Sequence, residues 1–302
     1  MIAPATLDRQ STAAVIVLYR PEAQARRVAA AAAPHVNRVY LVDNTPGGSA
    51  LGAALAGEEG VSLIASGNNV GLGTAYNLAA AAAVEDGYRW LLVLDQDTIL
   101  HDDYLAVMAQ RLSGFPARSL EEIACAGPRY VHSLDPDKFL PDVPPCAEVS
   151  SVISSGSLVN LAIWEAVGGF DDTFFIDYVD VEYCLRARRN GYAVVEVGDL
   201  LMTHTMGAAD VNTIFGFYSR KSSNYPPLRH YYMTRNAVVT GRTVGGAKWS
   251  RPELLMRLKV TALSVAMEPA RWRILKAIAY GLRDGWHGTT GELPAKRRAN
   301  LS

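Results

Sequence analysis

Apolar residues in the first third of the chain fall in short unbroken blocks: Ala13–Tyr19 (AAVIVLY), Arg38–Asp43 (RVYLVD), Val61–Ala65 and Trp90–Asp95 (WLLVLD). Continuous rather than alternating runs predict strands buried on both faces, as in a parallel sheet. Alanine-rich stretches separate them, Glu22–Ala33 and Thr74–Glu85, and alanine favours helix. Successive βα units predict a doubly wound α/β sheet, whose ligands bind beyond the carboxyl ends of the strands.

The rhythm changes after residue 115. Cys125–Val131 and Val149–Ile153 read as strands around a Pro-rich loop, Asp135–Pro145. Asn160 suits a cap for a short helix, Leu161–Val167, closed by Gly168 and Gly169. Tyr178–Arg189 reads as a helix ended by Asn190-Gly191. Tyr192–Val197 and Leu200–His204 read as short strands. Residues 206–228 carry Gly, Ser, Asn and Pro without periodicity and read as a mobile loop. From Arg229 the pattern is helical, with Leu254–Met267 and Trp272–Leu282 as amphipathic segments. The expected division is therefore 1–228, an α/β domain, and 229–302, a helical extension.

Composition narrows the class. With 302 residues, 49% hydrophobic and 20% charged, the chain can build a large core and is not a disordered tail. A net charge of −1 excludes a nucleic-acid binder driven by global positive charge. The average hides an asymmetry: residues 1–228 hold 15 basic and 26 acidic residues, and residues 229–302 hold 14 basic and 4 acidic. The last quarter thus suits an anionic counterpart such as a phosphorylated substrate or a bilayer surface. Three cysteines, Cys125, Cys146 and Cys184, without a Cys-x-x-Cys, argue against a disulfide scaffold and for a reducing compartment. Residues 1–12 lack the basic-then-apolar order of a signal peptide, and no uncharged run reaches the roughly 20 residues that span a bilayer. The expected location is cytoplasmic, with the inner membrane surface open to the basic helices.

Candidate chemistry gathers at the predicted strand ends. Asp95-Gln96-Asp97 closes the strongest strand. Hard carboxylate oxygens there suit a divalent cation that also holds a diphosphate, with Asp97 the ligand and Asp95 an acceptor for ribose hydroxyls. The bland reading is an acidic turn ahead of a helix capped by Asp102 or Asp103. Asp43-Asn44 ends the second strand and suits a base N–H. Arg20-Pro21 follows the first strand, near base or phosphates. Asn68-Asn69-Val70-Gly71-Leu72-Gly73 precedes a helix, where glycines allow close backbone approach. Its spacing is neither G-x-G-x-x-G nor a Walker loop, which argues against NAD and ATP. Each feature alone is an ordinary βα turn; four on one edge point to a nucleotide. Farther on, Asp177, Asp180 and Glu182 cluster near a helix start. They read either as helix-dipole placement with a Glu182–Arg186 pair or as the setting of a general base. His204 ends a later strand; a lone histidine is more often structural, and its value rests on meeting Asp97.

The segments LYRP, VDN, GNNVGLGTAYN, VLDQD, SSG, GGFDDTFFIDYVDVEYCLR and HYYMTRN together resemble the family 2 glycosyltransferases. Within that family they resemble the bacterial rhamnosyltransferase branch, and FIDYVDVEY with its spacing to His204 also resembles the galactofuranosyltransferases. The resemblance covers about residues 13–240. It implies the GT-A fold, a Rossmann-like mostly parallel sheet flanked by helices, here with a C-terminal helical extension. It implies an inverting hexosyltransferase that uses a nucleotide sugar, dTDP-L-rhamnose in the rhamnosyltransferase branch, and one divalent metal, Mn2+ or Mg2+. Asp97 and His204 match the metal ligands and Asp180 the catalytic base; Val179 stands where many members have an acid. Arg20, Asp43, Asn69 and Asp95 match nucleoside-contacting positions. Gln96, which by the resemblance also falls among the nucleotide-sugar-binding positions, replaces the middle acid of the wider family. Ser154, Ser155 and Gly156 match a strand-end turn near the sugar and acceptor, and Arg235 and Asn236 match a pattern at the donor diphosphate or acceptor.

The implied acceptor is a glycolipid or lipid-linked saccharide. The basic C-terminal helices would then lie on anionic lipid, or else pack against the sheet or a second copy of the chain in a homo-oligomer. Loop 206–228 would close over the donor. A UDP-sugar-dependent, galactofuranosyl-type transferase is the alternative within the class. Two rivals lie outside it. A nucleotidyltransferase should carry a Gly-rich basic loop after the first strand, where this chain has Tyr19-Arg20-Pro21-Glu22. A non-catalytic nucleotide-sugar-binding protein would not need Asp97, Asp180 and His204 together.

Overall fold

The computed structural model describes residues 6–129, 144–198, 202–204, 210–214, 218–222, 225–267 and 270–301. The chain forms two compact units. The first comprises residues up to Phe170 together with Tyr183–His204, and the second Asp171–Glu182 together with residues from Thr205 onward.

The first unit alternates strand and helix as the apolar blocks dictate. Its elements run β1 (Thr12–Leu18), α1 (Gln24–Ala32), β2 (Arg38–Asp43), α2 (Ala50–Leu55), β3 (Val61–Ala65), α3 (Leu72–Glu85), β4 (Trp90–Asp95), β5 (Thr98–Leu100) and α4 (Tyr104–Ser113). Then follow β6 (Ile123–Pro128), β7 (Cys146–Glu148), β8 (Ser157–Asn160), α5 (Leu161–Val167), α6 (Val179–Arg189), β9 (Ala193–Val197) and β10 (Met202–His204). The unit boundary falls inside α6.

Eight strands form one sheet in the order β3-β2-β1-β4-β8-β6-β9-β7. The pairs β1–β2, β2–β3, β1–β4 and β6–β9 are parallel, whereas β8 runs antiparallel to β4 and β6, and β7 to β9. The sheet is thus mixed but mostly parallel, as expected. Every residue of β1 is buried. Ala14, Ile16 and Leu18 share a core with Val28 of α1 and Tyr104 and Met108 of α4. Ala13 and Val15 point to the other face, and α3 packs against β1 and β2. Burial on both sides is the reason these strands read as unbroken apolar runs. Each Leu or Ile so buried contributes roughly 1.5–3 kcal/mol relative to exposure.

Local signals set several boundaries. Asn160 Oδ1 accepts from the backbone N–H of Ala162 and of Ile163, and Gly168 closes α5 at φ 88°. Ser49 Oγ caps α2 by accepting from Gly52 N. Other expectations are corrected. Val149–Ile153 is irregular, and the strands on either side of it are β7 and β8. The strand expected at Cys125–Val131 begins at Ile123 and ends at Pro128; Val131 and most of the Pro-rich loop lie outside the described residues, as do Leu200 and Leu201.

After its segment Asp171–Glu182, the second unit continues with β11 (Asp210–Ile214) and β12 (Tyr218–Ser222), an antiparallel hairpin. Residues 206–228 were expected to lack regular structure. The strand sequences DVNTI and YSRKS carry no apolar alternation that a periodicity could reveal, and the rest of that segment up to Asn224 lies outside the described residues. Then come α7 (Pro227–Thr240), a π-helical turn at Gly241–Gly245, α8 (Gly246–Met267), α9 (Arg271–His287) and α10 (Ala295–Arg298). The helices α7 and α9 pack so closely that a Cβ on Gly281 would lie 2.7 Å from the Tyr231 carbonyl oxygen, and one on Gly285 2.8 Å from that of Arg235.

Candidate functional site

The carboxyl ends of β1, β2, β3 and β4 lie on one edge of the first unit because those strands are parallel neighbours. β8 enters antiparallel to β4, so its leading turn, Ser154–Gly156, arrives at the same edge. That topology brings Arg20, Asp43, Asn69, Asp95, Gln96, Asp97, Ser155 and Gly156 together.

Asp43 is buried and organises its own turn. Its Oδ1 accepts from Thr45 N at 2.9 Å, and its Oδ2 accepts from both the N–H and the hydroxyl of Ser49 at 2.6 Å. Burial pushes this carboxyl upward, but the Ser49 and Thr45 bonds outweigh it and hold the group below its ordinary value. Neighbouring Asn44 is buried too. Its amide donates to the Gly71 carbonyl at 3.1 Å, tying β2 to the glycine turn before α3, while its Oδ1 is buried without a partner. Such an orphan acceptor is a place for a ligand N–H or a water. Asn69 Oδ1 accepts from Gly71 N, and Gly71 itself stands at φ 84°, a conformation that favours glycine.

At the end of β1, Arg20 adopts φ 47° and donates its N–H to Thr45 Oγ1 at 2.9 Å. Its guanidinium lies over the exposed Tyr19 ring at 5.3 Å. Gln96 bridges to the same place: Tyr19 N donates to Gln96 Oε1 at 3.0 Å, and Gln96 Nε2 donates to Tyr19 O at 3.3 Å. The side chain expected against the nucleotide thus joins the ends of β1 and β4.

Residues 96 and 97 form the tight turn between β4 and β5. It is held from beneath. Ser155 is buried, its Oγ accepts from Asp95 N at 3.3 Å, and it lies 2.6 Å from Thr98 Oγ1. Gly156, at φ 81°, donates its N–H to the Val93 carbonyl, and its own carbonyl accepts from the buried Tyr104 hydroxyl. Ser155 and Gly156 therefore fix the acidic turn. Thr98 went unnoticed in the sequence, although a hydroxyl directly after Asp-x-Asp was the available signal. On the far side, β5 pairs antiparallel with β10, and His204 stands opposite Thr98. The backbone thus brings the His204 position next to the Asp97 turn; the His204 side chain lies outside what the structure describes.

Asp180 sits in the second unit, in the first turn of α6, where its Oδ1 accepts from Val181 N at 2.8 Å. Glu182, two residues on in the same first turn, is buried. The approach to this helix is strained: Asp177 and Tyr178 stand at φ 63° and 67°, a conformation that costs side-chain-bearing residues of order 1–3 kcal/mol each. It is clamped by α7. Asn236 Nδ2 donates to the carbonyls of Ile176 and Asp177, both at 2.8 Å, and Arg229 pairs with Asp177 at 3.2 Å. Arg235 Nε donates to Asn236 Oδ1 at 2.8 Å. Arg235 is fully buried, over the rings of Tyr231 and Tyr232, and also donates to the Gly291 carbonyl. It was expected at the donor; with no exposed surface it instead orients the asparagine that holds the turn. The spacing Tyr231, Tyr232, Arg235, one helical turn, carried that signal. The paired left-handed residues had none, since tyrosine is not a residue that favours them.

The donor set fits a divalent cation in part. Among the described residues no group of three or more His, Cys, Asp or Glu side chains could hold one alone. An acidic turn with one nearby histidine position instead suits an ion that takes most of its oxygens from a diphosphate, the usual habit of Mg2+.

Comparison with known proteins places these features in context. Residues 25–119 match Glycosyl transferase family 2. The dTDP-rhamnosyl transferase RfbF of Shigella flexneri is 28% identical over 298 residues, covering 92% of this chain and 96% of that protein. Among solved structures, S. aureus TarS 1–349 in complex with UDP-GlcNAc matches at TM-score 0.57 and 13% identity, over 97% of this chain and 84% of that one. Mannosyltransferase PcManGT from Pyrobaculum calidifontis, in complex with GDP-Man and Mn2+, matches at TM-score 0.56 and 14% identity, over 99% and 81%.

Proposed function

The chain is a glycosyltransferase with the GT-A fold whose residues 25–119 match family 2, and on that premise we propose that it transfers L-rhamnose from dTDP-L-rhamnose, with inversion, to a hydroxyl of a glycolipid or lipid-linked saccharide. The observation that carries the nucleotide part is the convergence of four parallel strand ends on one polar edge, with a buried unpaired Asn44 oxygen and an acidic turn held by Ser155. The dTDP-rhamnose part is supported by the 28% identity to RfbF over nearly its whole length.

In this reading Asp43 and Asn44 face the base, with Asn69 and Arg20 beside it. Asp95 accepts from the ribose. Asp97 and His204 hold Mn2+ or Mg2+. The ion, when bound, acts as a Lewis acid that offsets charge on the leaving nucleoside diphosphate. Asp180 accepts the proton of the acceptor hydroxyl as that oxygen attacks the anomeric carbon. Arg235 acts through Asn236, as a positioning residue. The protein would work in the cytoplasm, where contact of its C-terminal helices with the inner membrane surface brings it to a lipid-borne acceptor. Among the described residues no helix is long and apolar enough to cross a membrane.

The test is thermal stabilisation by a panel of nucleotide sugars with and without Mn2+ or Mg2+, on the native chain and on Asp180→Asn. Metal-dependent stabilisation selective for dTDP-L-rhamnose is expected in both. Asp180→Asn should keep it while turnover falls about 10²–10⁴-fold, the usual range for a general base. Equal stabilisation by UDP-sugars would move the donor to the galactofuranosyl-type alternative. Unchanged turnover in the variant would remove Asp180 from its role.

A further inference from the structure

The helix α9 is inside out. Its buried residues are Ile274, Ala277, Gly281, Asp284 and Gly285, mostly small, with one acid. Its large apolar residues are on the outside: Trp272 is 74% exposed, Trp286 66%, Leu282 44% and Leu275 37%. At 3.6 residues per turn these four fall within about 80° of arc, opposite the buried stripe. They are not scattered surface residues: six of the eight large apolar side chains exposed among the described residues lie in α8 and α9, these four together with Leu255 and Met256 of α8.

The same face is bordered by cations. Arg271, Lys276 and Arg283 flank it along α9, and the helix's one acid, Asp284, is buried and neutralised by Arg297 at 2.8 Å. At the carboxyl end of the helix, Arg283, His287, Thr289 and Arg297 line an open cleft with Asp284. Exposed tryptophans bordered by arginine and lysine match the interface of an anionic bilayer, where rings sit at headgroup level and cations meet phosphates. The Arg242 guanidinium lies over the Trp286 ring, 4.5 Å from its centroid, so an aromatic ring and a cation stand together on this face, as at a headgroup boundary.

We propose that this face of α9 docks on an anionic membrane, with Trp272, Leu275, Leu282 and Trp286 entering the headgroup boundary and the Arg283–Arg297 cleft receiving a lipid phosphate. The inference deepens the reading of a lipid-borne acceptor. It is read out by lipid binding in the absence of any sugar donor, so its failure and that of the transferase reading are distinguishable.

The experiment is co-sedimentation of the full chain with phosphatidylcholine vesicles, with and without phosphatidylglycerol. Binding is expected only with the anionic lipid, and it should weaken as salt rises. Trp272→Ser combined with Trp286→Ser should lower apparent affinity by about tenfold or more, and Arg283→Glu by a smaller factor, with the thermal midpoint unchanged. If the double variant fails to fold, Leu282→Gln takes its place and should weaken binding with an unchanged midpoint. Absence of binding to anionic vesicles, or equal binding by these variants, overturns the proposal. So does a dimer in analytical ultracentrifugation that the tryptophan substitutions dissociate, which would give the face to a second copy of the chain.

Discussion

The two units solve the problem of burial in opposite ways. In the first, β1 buries all seven of its residues and nearly all are aliphatic, and polar groups are sent to the strand ends. In the second, α7 buries His230, Arg235, Asn236 and Thr240, while the tryptophans of α9 stand in solvent. A hydrophobic core tolerates exchange among apolar residues of similar volume. A buried polar network does not, because removing one partner leaves another unsatisfied. Mutational sensitivity should therefore follow apolar volume in the first unit and hydrogen-bond partners and glycine contacts in the second.

The contrast breaks first at the α7–α9 crossing. A Cβ at Gly281 meets the Tyr231 backbone, Thr234 Cβ and Arg235 N, none of which is the tip of a flexible side chain. Gly281→Ala should destabilise the second unit by about 1–3 kcal/mol, less whatever the better helix propensity of alanine returns. A denaturant titration followed by the tryptophans of the C-terminal helices reads it, and an unchanged midpoint would mean the crossing is looser than described.

Asn236→Ala removes both donors that hold the left-handed turn ahead of α6. Hydrogen bonds of this kind contribute roughly 1 kcal/mol each. On the proposed role of Asp180 as base, we expect kcat to fall by about tenfold, with the donor KM within about twofold, because the loss frees the turn that leads into α6. Equal losses in both constants would sink the separation between the two units.

The smallest effect is in the first unit and concerns pH. The Asp43 carboxyl is held below its ordinary value in the folded chain, so its contribution to stability is fully present at neutral pH. It is lost as pH falls through the ordinary carboxylate range toward the depressed folded value. Asp43→Asn should flatten the acid limb of the melting-temperature profile; a profile parallel to the native one would show that Ser49 and Thr45 do not favour the ionised form.

These contrasts also explain what the sequence disclosed. β2, β3 and β4 have the bounds expected from their apolar blocks, and Asn160 caps the helix it was read to cap, because burial on both faces and a side-chain oxygen at a helix start are written in consecutive residues. The strand-end cluster was legible for the same reason: parallel strands bring the residues after each block to one edge. Arg235 was read as a charge facing the donor diphosphate or acceptor, and the sequence did not disclose that two tyrosines a turn earlier enclose it. Residues 210–222 concealed a hairpin because their strands carry no apolar alternation. The turn at Asp177 and Tyr178 depends on Asn236, nearly sixty residues away in sequence, and no local pattern announces a conformation imposed from that distance.

Gln96 has a consequence of its own. An amide both accepts from Tyr19 N and donates to Tyr19 O; a carboxylate in the same place could make only the first bond. It would also set a third negative charge between Asp95 and Asp97, at the edge where an anionic donor would arrive. By using a neutral side chain to fasten β1 to β4, the molecule secures two neighbouring strands and leaves the incoming phosphates less repulsion to overcome.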